Sequence, residues 1–198
     1  IDPSDILAAR KAGAGVVKRT PVTESLSLTE RFGGNVVLKA ENLQRTGSFK
    51  IRGAMNKLAS LGDTAKKGVV AGSAGNHAIA LAFAAKHYGV PCHIFVPTGA
   101  SLSKMKAVLS YGATLTEGGD TLSDAVAAAQ ELADKTGMIL CHPFDDPFVV
   151  AGQATLGLEL VEDIPDLTTV IVPLGGGGLT GGVAIAVKQA MPHVRIIG

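Results

Sequence analysis

An α/β fold built on mostly parallel sheets is predicted by three features of this sequence. Short β-branched runs alternate with helical stretches of ten or more residues, the pattern of right-handed βαβ units. Glycine- and serine-rich loops follow several of the apolar runs directly, where such sheets bring ligands to helix N-termini. The composition is 46% hydrophobic and 18% charged over 198 residues, ample for a packed core.

In chain order, residues 36–40 are short and β-branched and read as a strand. Residues 41–47 read as a loop, Ser48 is a good N-cap, and helix is predicted from near Phe49. Residues 68–72 form a short strand, Ser73-Ala74-Gly75-Asn76-His77 a loop, and an Ala-rich helix runs to about Tyr88. A strand at 93–96 precedes a Ser-capped helix over about 103–111. A strand at 113–117 precedes a helix from about Leu122, with Leu122, Val126, Ala129 and Leu132 on one face. Residues 138–141 form a strand before a helix over about 148–162. Residues 169–172 form a strand before a glycine run and a helix through Lys188. Residues 194–197 look like one more strand, without the helix that should follow, which predicts a longer natural chain. Left alone, that exposed strand is an aggregation hazard.

Composition and spacing exclude several classes of function. Net charge is +1, from 18 Lys and Arg against 17 Asp and Glu, with no basic stripe for nucleic acid. Cys92 and Cys141 form no CxxC pair, and a chain this large and apolar needs no disulfide scaffold, so a reducing cytoplasm fits. Residues 1–20 carry no apolar signal segment. The longest uncharged stretch, 167–187, contains Pro173 and a four-glycine run, so no membrane span is predicted. His77, His87, His93, His142 and His193 show no ligand spacing, so no metal is expected. Ser73 lies outside any GxSxG setting, so a serine hydrolase is unsupported.

Three loops could carry chemistry. Thr46-Gly47-Ser48-Phe49-Lys50 puts a lysine in the first turn of a helix, the wrong end of the macrodipole for a cation. That field disfavours the charged form, and a neutral lysine amine forms Schiff bases. Ser73-Ala74-Gly75-Asn76-His77 offers backbone amides and a hydroxyl to a carboxylate, though Ser73 or Asn76 could equally cap the next helix. Gly175-Gly176-Gly177-Gly178 opens a helix after a buried strand and could cradle an anion, or allow tight strand–helix packing. It is neither a Walker A loop nor a dinucleotide fingerprint. A lysine nucleophile and a phosphate cradle together match pyridoxal phosphate, which has an aldehyde for one and a phosphate for the other.

Arg45-Thr46-Gly47-Ser48-Phe49-Lys50-Ile51-Arg52-Gly53-Ala54, the asparagine loop and Gly175-Gly176-Gly177-Gly178-Leu179 resemble the fold type II pyridoxal-phosphate enzymes. Within these the chain is most similar to the threonine dehydratase (threonine ammonia-lyase) family, from about Arg19 to Gly198 and including Asp146-Pro147-Phe148-Val149-Val150-Ala151-Gly152-Gln153. The resemblance implies two open, mostly parallel three-layer α/β domains of the tryptophan synthase β type, with the C-terminal part missing. Residues 1–52 and 146–198 would form the large domain and residues 53–145 a smaller insert, with the cofactor between them.

The resemblance implies that Lys50 holds pyridoxal 5'-phosphate as a Schiff base and acts as the base at Cα. Phe49 would lie beside the ring, Asn76 would bond its 3-oxygen, and Gly175, Gly176, Gly177, Gly178 and Leu179 would bind the phosphate. Ser73, Ala74, Gly75, Asn76 and His77 would hold the substrate carboxylate. The implied reaction turns L-threonine, and L-serine by the same route, into 2-oxobutanoate or pyruvate plus ammonia. Serine racemases resemble this chain but carry a second serine where Ala74 stands, so Ala74 favours elimination. The chain departs from the family pattern at Ile79-Ala80, where Gln-Gly is usual, and a Ser or Cys against the pyridine nitrogen would fall beyond Gly198. The implied protein is a cytoplasmic homo-oligomer of isoleucine biosynthesis or threonine catabolism acting on a small amino acid, without nucleic-acid or membrane partners. The alternatives are a serine dehydratase or racemase, or a non-pyridoxal nucleotide-binding or structural α/β domain using the glycine loop for another anion.

Overall fold

The computed structural model describes residues 1–198. Strands β3 (Val69–Gly72), β4 (Cys92–Val96), β5 (Thr114–Glu117) and β6 (Ile139–Leu140) form one parallel sheet in the order β5-β4-β3-β6. Helices α4 (Asn76–Tyr88), α5 (Leu102–Ser110) and α6 (Leu122–Thr136) connect them. Val69, Val70, Ala71, Ile94 and Val96 are buried, as expected of strands covered on both faces. β7 (Thr169–Ile171) and β8 (Arg195–Ile197) pair in parallel across α8 (Gly178–Ala190). The elements foreseen from the alternating pattern all form, with ends shifted by one or two residues.

Ahead of them lies an N-terminal region of which only the strand at residues 36–40 was foreseen. It comprises α1 (Pro3–Ala12), an antiparallel pair β1 (Val22–Glu24) and β2 (Val37–Lys39), and α2 (Leu26–Phe32) between these strands. A 3₁₀ turn, Glu41–Leu43, leads toward α3 (Lys50–Leu61), and a second, Gly62–Lys67, leads from it to β3.

Three of the expectations fail on physical grounds. Ser48 does not cap α3: the cap position is Phe49, in helical conformation, and the Ser48 hydroxyl is buried without a partner. The buried face of α6 is Ala125, Ala129 and Ala133, while Leu122 and Val126 are exposed. α6 lies so close to β3 that a Cβ at Gly72 would come within 2.5 Å of the Val126 backbone, so small side chains face the sheet. The foreseen serine cap on α5 is also absent, since Ser101 makes no capping bond.

Helices α3 and α7 (Pro147–Asp163) cross where glycine meets glycine: a Cβ at Gly152 would sit 2.5 Å from the Arg52 carbonyl oxygen and the Gly53 Cα. α7 and α8 also pack closely, with Gly157 against Val183 and Ala186, and Gly182 against Val150 and Ala154. These close crossings bring the N-terminal ends of α3 and α8 toward the segment that enters α7. No helix is long and apolar enough to cross a membrane.

Candidate functional site

Helices α3, α4 and α8 each begin without a side-chain cap. Helices α1, α6 and α7 are capped by Asp2, Thr121 and Asp146. Uncapped first-turn N–H groups are free to bind an incoming acceptor. α2 and α5 also begin without a side-chain capping bond, so the three loops picked out from sequence are three of the five uncapped starts.

At α3, the Lys50 side chain is half-buried, and burial lowers its pKa from the ordinary lysine value. Its Nζ donates to the Pro143 carbonyl oxygen at 2.6 Å and lies 5.3 Å from the Phe49 ring centroid. An amine so placed loses its proton more easily than an exposed lysine does, and the Pro143 carbonyl fixes one of its N–H bonds.

At α4, the Gly75 N–H donates to Ser73 Oγ at 3.2 Å, so the hydroxyl proton of Ser73 stays available. Neither Ser73 nor Asn76 caps the helix. The Asn76 side chain is exposed at the helix start. His77 is buried, and its Nε2 donates to the Cys141 carbonyl oxygen at 2.9 Å. Burial is the main reason its pKa falls to about 4, with the nearby Lys50 and His142 charges adding to it, so the ring is neutral. A small cavity of about 10 Å³ lies behind the loop, with Ser73, Ala74, Gly75, Lys104 and Met105 in its wall. Ile79 and Ala80 lie inside α4, and Ala80 is fully buried.

At α8, Gly177 caps the helix with φ of 86°, a conformation that favours glycine. No backbone carbonyl or side chain pairs the N–H groups of Gly175, Gly176, Gly177, Gly178 or Leu179. A Cβ at Gly176 would strike the Phe144 ring at 2.4 Å, and one at Gly178 would approach the Phe144 carbonyl oxygen at 2.8 Å. Close packing and a row of open N–H donors therefore coexist here, and the two readings of the glycine run are compatible.

What joins the loops is a segment that sequence reasoning did not single out. Residues 141–146 touch all three: Cys141 O meets His77, Pro143 O meets Lys50, and Phe144 meets the glycine run. The exit is fixed by Asp146, which caps α7 and pairs with Lys57 at 2.5 Å. Asp146-Pro147, a cap followed by a first-turn proline, was the available signal.

Elsewhere, Arg52 is wholly buried, with Glu41, Glu159 and Thr155 bonding all its guanidinium nitrogens. A larger cavity of about 220 Å³ is lined in part by Arg10, Arg19 and Arg52, but each guanidinium is paired within the chain. Cys92 and Cys141 are free and buried, and burial pushes both thiols up to about 12, which leaves them poor nucleophiles. No three His, Cys, Asp or Glu side chains gather as a metal-binding set.

A family model described as "Pyridoxal-phosphate dependent enzyme" matches residues 14–198. The chain is 49% identical over 195 residues to L-threonine ammonia-lyase of Thermotoga maritima, covering 98% of this chain and 49% of that protein. It is 47% identical over 195 residues to the Escherichia coli K12 L-threonine dehydratase catabolic TdcB, covering 98% and 59%. The chain thus spans about half to three-fifths of these relatives' lengths. Among solved structures, maize serine racemase superposes with a TM-score of 0.95 at 40% identity, covering 98% of this chain and 60% of that one. The processed threonine deaminase isoform 2 of Solanum lycopersicum superposes with a TM-score of 0.92 at 38% identity, covering 98% and 53%.

Proposed function

The chain belongs to the family of pyridoxal-phosphate dependent enzymes, and on that premise we propose that the whole protein is a threonine ammonia-lyase. It would convert L-threonine to 2-oxobutanoate and ammonia, and L-serine to pyruvate and ammonia. The observation that carries this reading is the Lys50 amine: half-buried, lowered in pKa, and tied through Pro143 to the segment that packs against the glycine run. The named relatives with threonine ammonia-lyase and dehydratase activity support the choice of reaction.

The residues suit the cofactor. Lys50 Nζ is the candidate for covalent attachment to its aldehyde. The open N–H groups of Gly175, Gly176, Gly177, Gly178 and Leu179, at the positive end of α8, are the candidates for its phosphate. Phe49 is assigned to the ring and Asn76, exposed and unpaired, to its 3-oxygen. Pyridoxal phosphate, when bound, supplies an electron sink for the charge left at Cα.

The chain's own residues would do the rest. Ser73, Ala74, Gly75, Asn76 and His77 receive the substrate carboxylate on backbone N–H groups and the Ser73 hydroxyl. The released Lys50 amine takes the Cα proton, and its lowered pKa keeps it available as a base. The β-hydroxyl leaves as water after gaining a proton, and the enamine released hydrolyses to the keto acid and ammonia. His77, neutral and buried, adds no charge against the base.

Racemisation is the second reading, favoured by the likeness to maize serine racemase. Ala74 speaks against it, because a methyl group offers no proton to the opposite face of Cα. We also propose the domain division at residues 52/53 and 145/146, supported by the four-stranded sheet lying wholly between those limits. A cytoplasmic homo-oligomer completes the proposal, supported for location by two free, unpaired thiols.

In the full-length protein, Lys50→Ala is expected to abolish covalent cofactor attachment and to cut keto-acid release from threonine at least about 10³-fold. Retention of turnover would overturn the assignment of Lys50. Production of D-serine faster than pyruvate from L-serine would replace the lyase reading with the racemase one.

A further inference from the structure

We propose that His142 is a positioning residue, whose unprotonated Nδ1 holds the turn that presents the Pro143 carbonyl to Lys50 and the Phe144 ring to the glycine run. This inference rests on the function proposed above. The turn is pinned at both ends. Cys141 N–H donates to the Val70 carbonyl oxygen at 2.9 Å and so belongs to the sheet. Asp146 caps α7 and pairs with Lys57. Between these anchors no backbone N–H finds a backbone acceptor. His142 supplies the acceptor instead: its Nδ1 receives the Asp145 N–H at 2.7 Å and, more weakly, the Phe144 N–H at 3.4 Å.

The same ring also shapes the turn by packing. Its centroid lies 4.6 Å from that of Phe144, nearly perpendicular, a favourable edge contact. Phe144 in turn covers Gly176 and Gly178. One imidazole thus supports both the acceptor of the Lys50 amine and the floor of the glycine run.

The arrangement depends on protonation. A histidine ring nitrogen accepts a hydrogen bond only while it carries no proton. Protonated at Nδ1, His142 would face two N–H donors with a third. The turn would lose its internal acceptor, and Pro143 its fixed position. The other ionisable groups around this turn are Lys50 and Lys57 on α3, His77 on α4, and Asp145 and Asp146 within the segment itself.

The test uses the full-length protein and the variants H142N and H142A. Asparagine places its Oδ1 as many bonds from Cα as the histidine Nδ1, accepts the same N–H groups, and does not titrate. Pyridoxal phosphate affinity is read by absorbance titration, and the rate of its covalent capture by Lys50 is followed at one fixed pH. H142A is expected to bind about tenfold more weakly, the effect of losing one good and one weak hydrogen bond, and H142N to recover to within about threefold. Equal binding by H142A and the native protein, or no recovery in H142N, would each overturn the inference. If H142A does not fold, H142N decides alone, and binding more than about threefold weaker than the native protein would overturn the inference. A native protein that captures no pyridoxal phosphate would sink the functional reading itself, whereas capture through Lys50 with H142A unchanged would sink only the role of His142.

Discussion

Lys50 and Arg52 stand two residues apart in the first turn of α3 and receive opposite treatment. Lys50 has one hydrogen-bond acceptor, no ionic partner, and a pKa lowered by burial. Arg52 is more deeply buried, and burial alone would lower its pKa too, but hydrogen bonds to Glu41 and Glu159 outweigh that and raise it. Successive positions two apart point to different sides of a helix. One side of α3 faces the Pro143 turn, and the other faces the Glu41–Glu159 network with β2 and α7. The contrast separates a cation kept reactive from a cation kept charged. The first costs stability at neutral pH, and the second is bound into the frame.

The comparison breaks most visibly at Arg52. Arg52→Met would leave Glu41 and Glu159 buried with a partner gone, although Lys39 still reaches Glu159 at 2.7 Å. Removing one side of a buried ion pair costs about 3–5 kcal/mol. Urea melts of the full-length protein should therefore show a loss of that order with the slope unchanged. A loss below about 1 kcal/mol would mean that the network is dispensable, and that the two cations differ less than their surroundings suggest.

How legible this was in the sequence differs between the same two sides. The βα units from residue 69 onward are local, their periods are strong, and their loops were read correctly as helix starts. The site loops could be found because each needs only a few neighbouring residues. Most of the N-terminal region was missed because α2 buries no residue and β1 is three residues long, so neither carries a periodic signal, whereas the β-branched run at 36–40 revealed β2. Ser48 misled because capping preference is local, whereas its burial is set by the tertiary fold. The alanine face of α6 was hidden by larger Leu122 and Val126, because close approach at Gly72 is a property of the sheet–helix distance. The turn at residues 141–146 reaches Lys50 across 93 positions, beyond any local pattern.

A second prediction sharpens the contrast through pH. His77 has a folded pKa of about 4 against an ordinary 6.5, because burial disfavours its cation. A depressed folded value means the unfolded chain takes up the proton first as pH falls. The stability contributed is therefore complete above pH 6.5 and is lost progressively down to about pH 4. A shift of this size corresponds to about 3 kcal/mol across that window. Arg52, charged throughout, adds no slope there. His77→Gln should flatten the dependence of unfolding free energy on pH between 6.5 and 4. An unchanged slope would overturn the assignment of this loss to His77, because Glu162 and Asp163, whose carboxyls lie below their ordinary values of 4.5 and 3.8, act mainly at lower pH.

The smallest expected effect falls on Lys50 itself. Its lowered pKa means that the folded state disfavours the charge at neutral pH, so an apolar side chain relieves a cost. Against that stands one hydrogen bond to Pro143, worth about 0.5–1.5 kcal/mol. The two nearly cancel, and Lys50→Met in the cofactor-free protein should change stability by no more than about 0.5 kcal/mol in a urea melt. The same substitution two positions on, at Arg52, is expected to cost several times that. If Lys50→Met destabilised as much as Arg52→Met, Lys50 would be part of the frame, and its reactivity would need a cause other than freedom from ionic partners. If instead it stabilised, the amine would be held at a stability cost, as expected of a residue kept for chemistry.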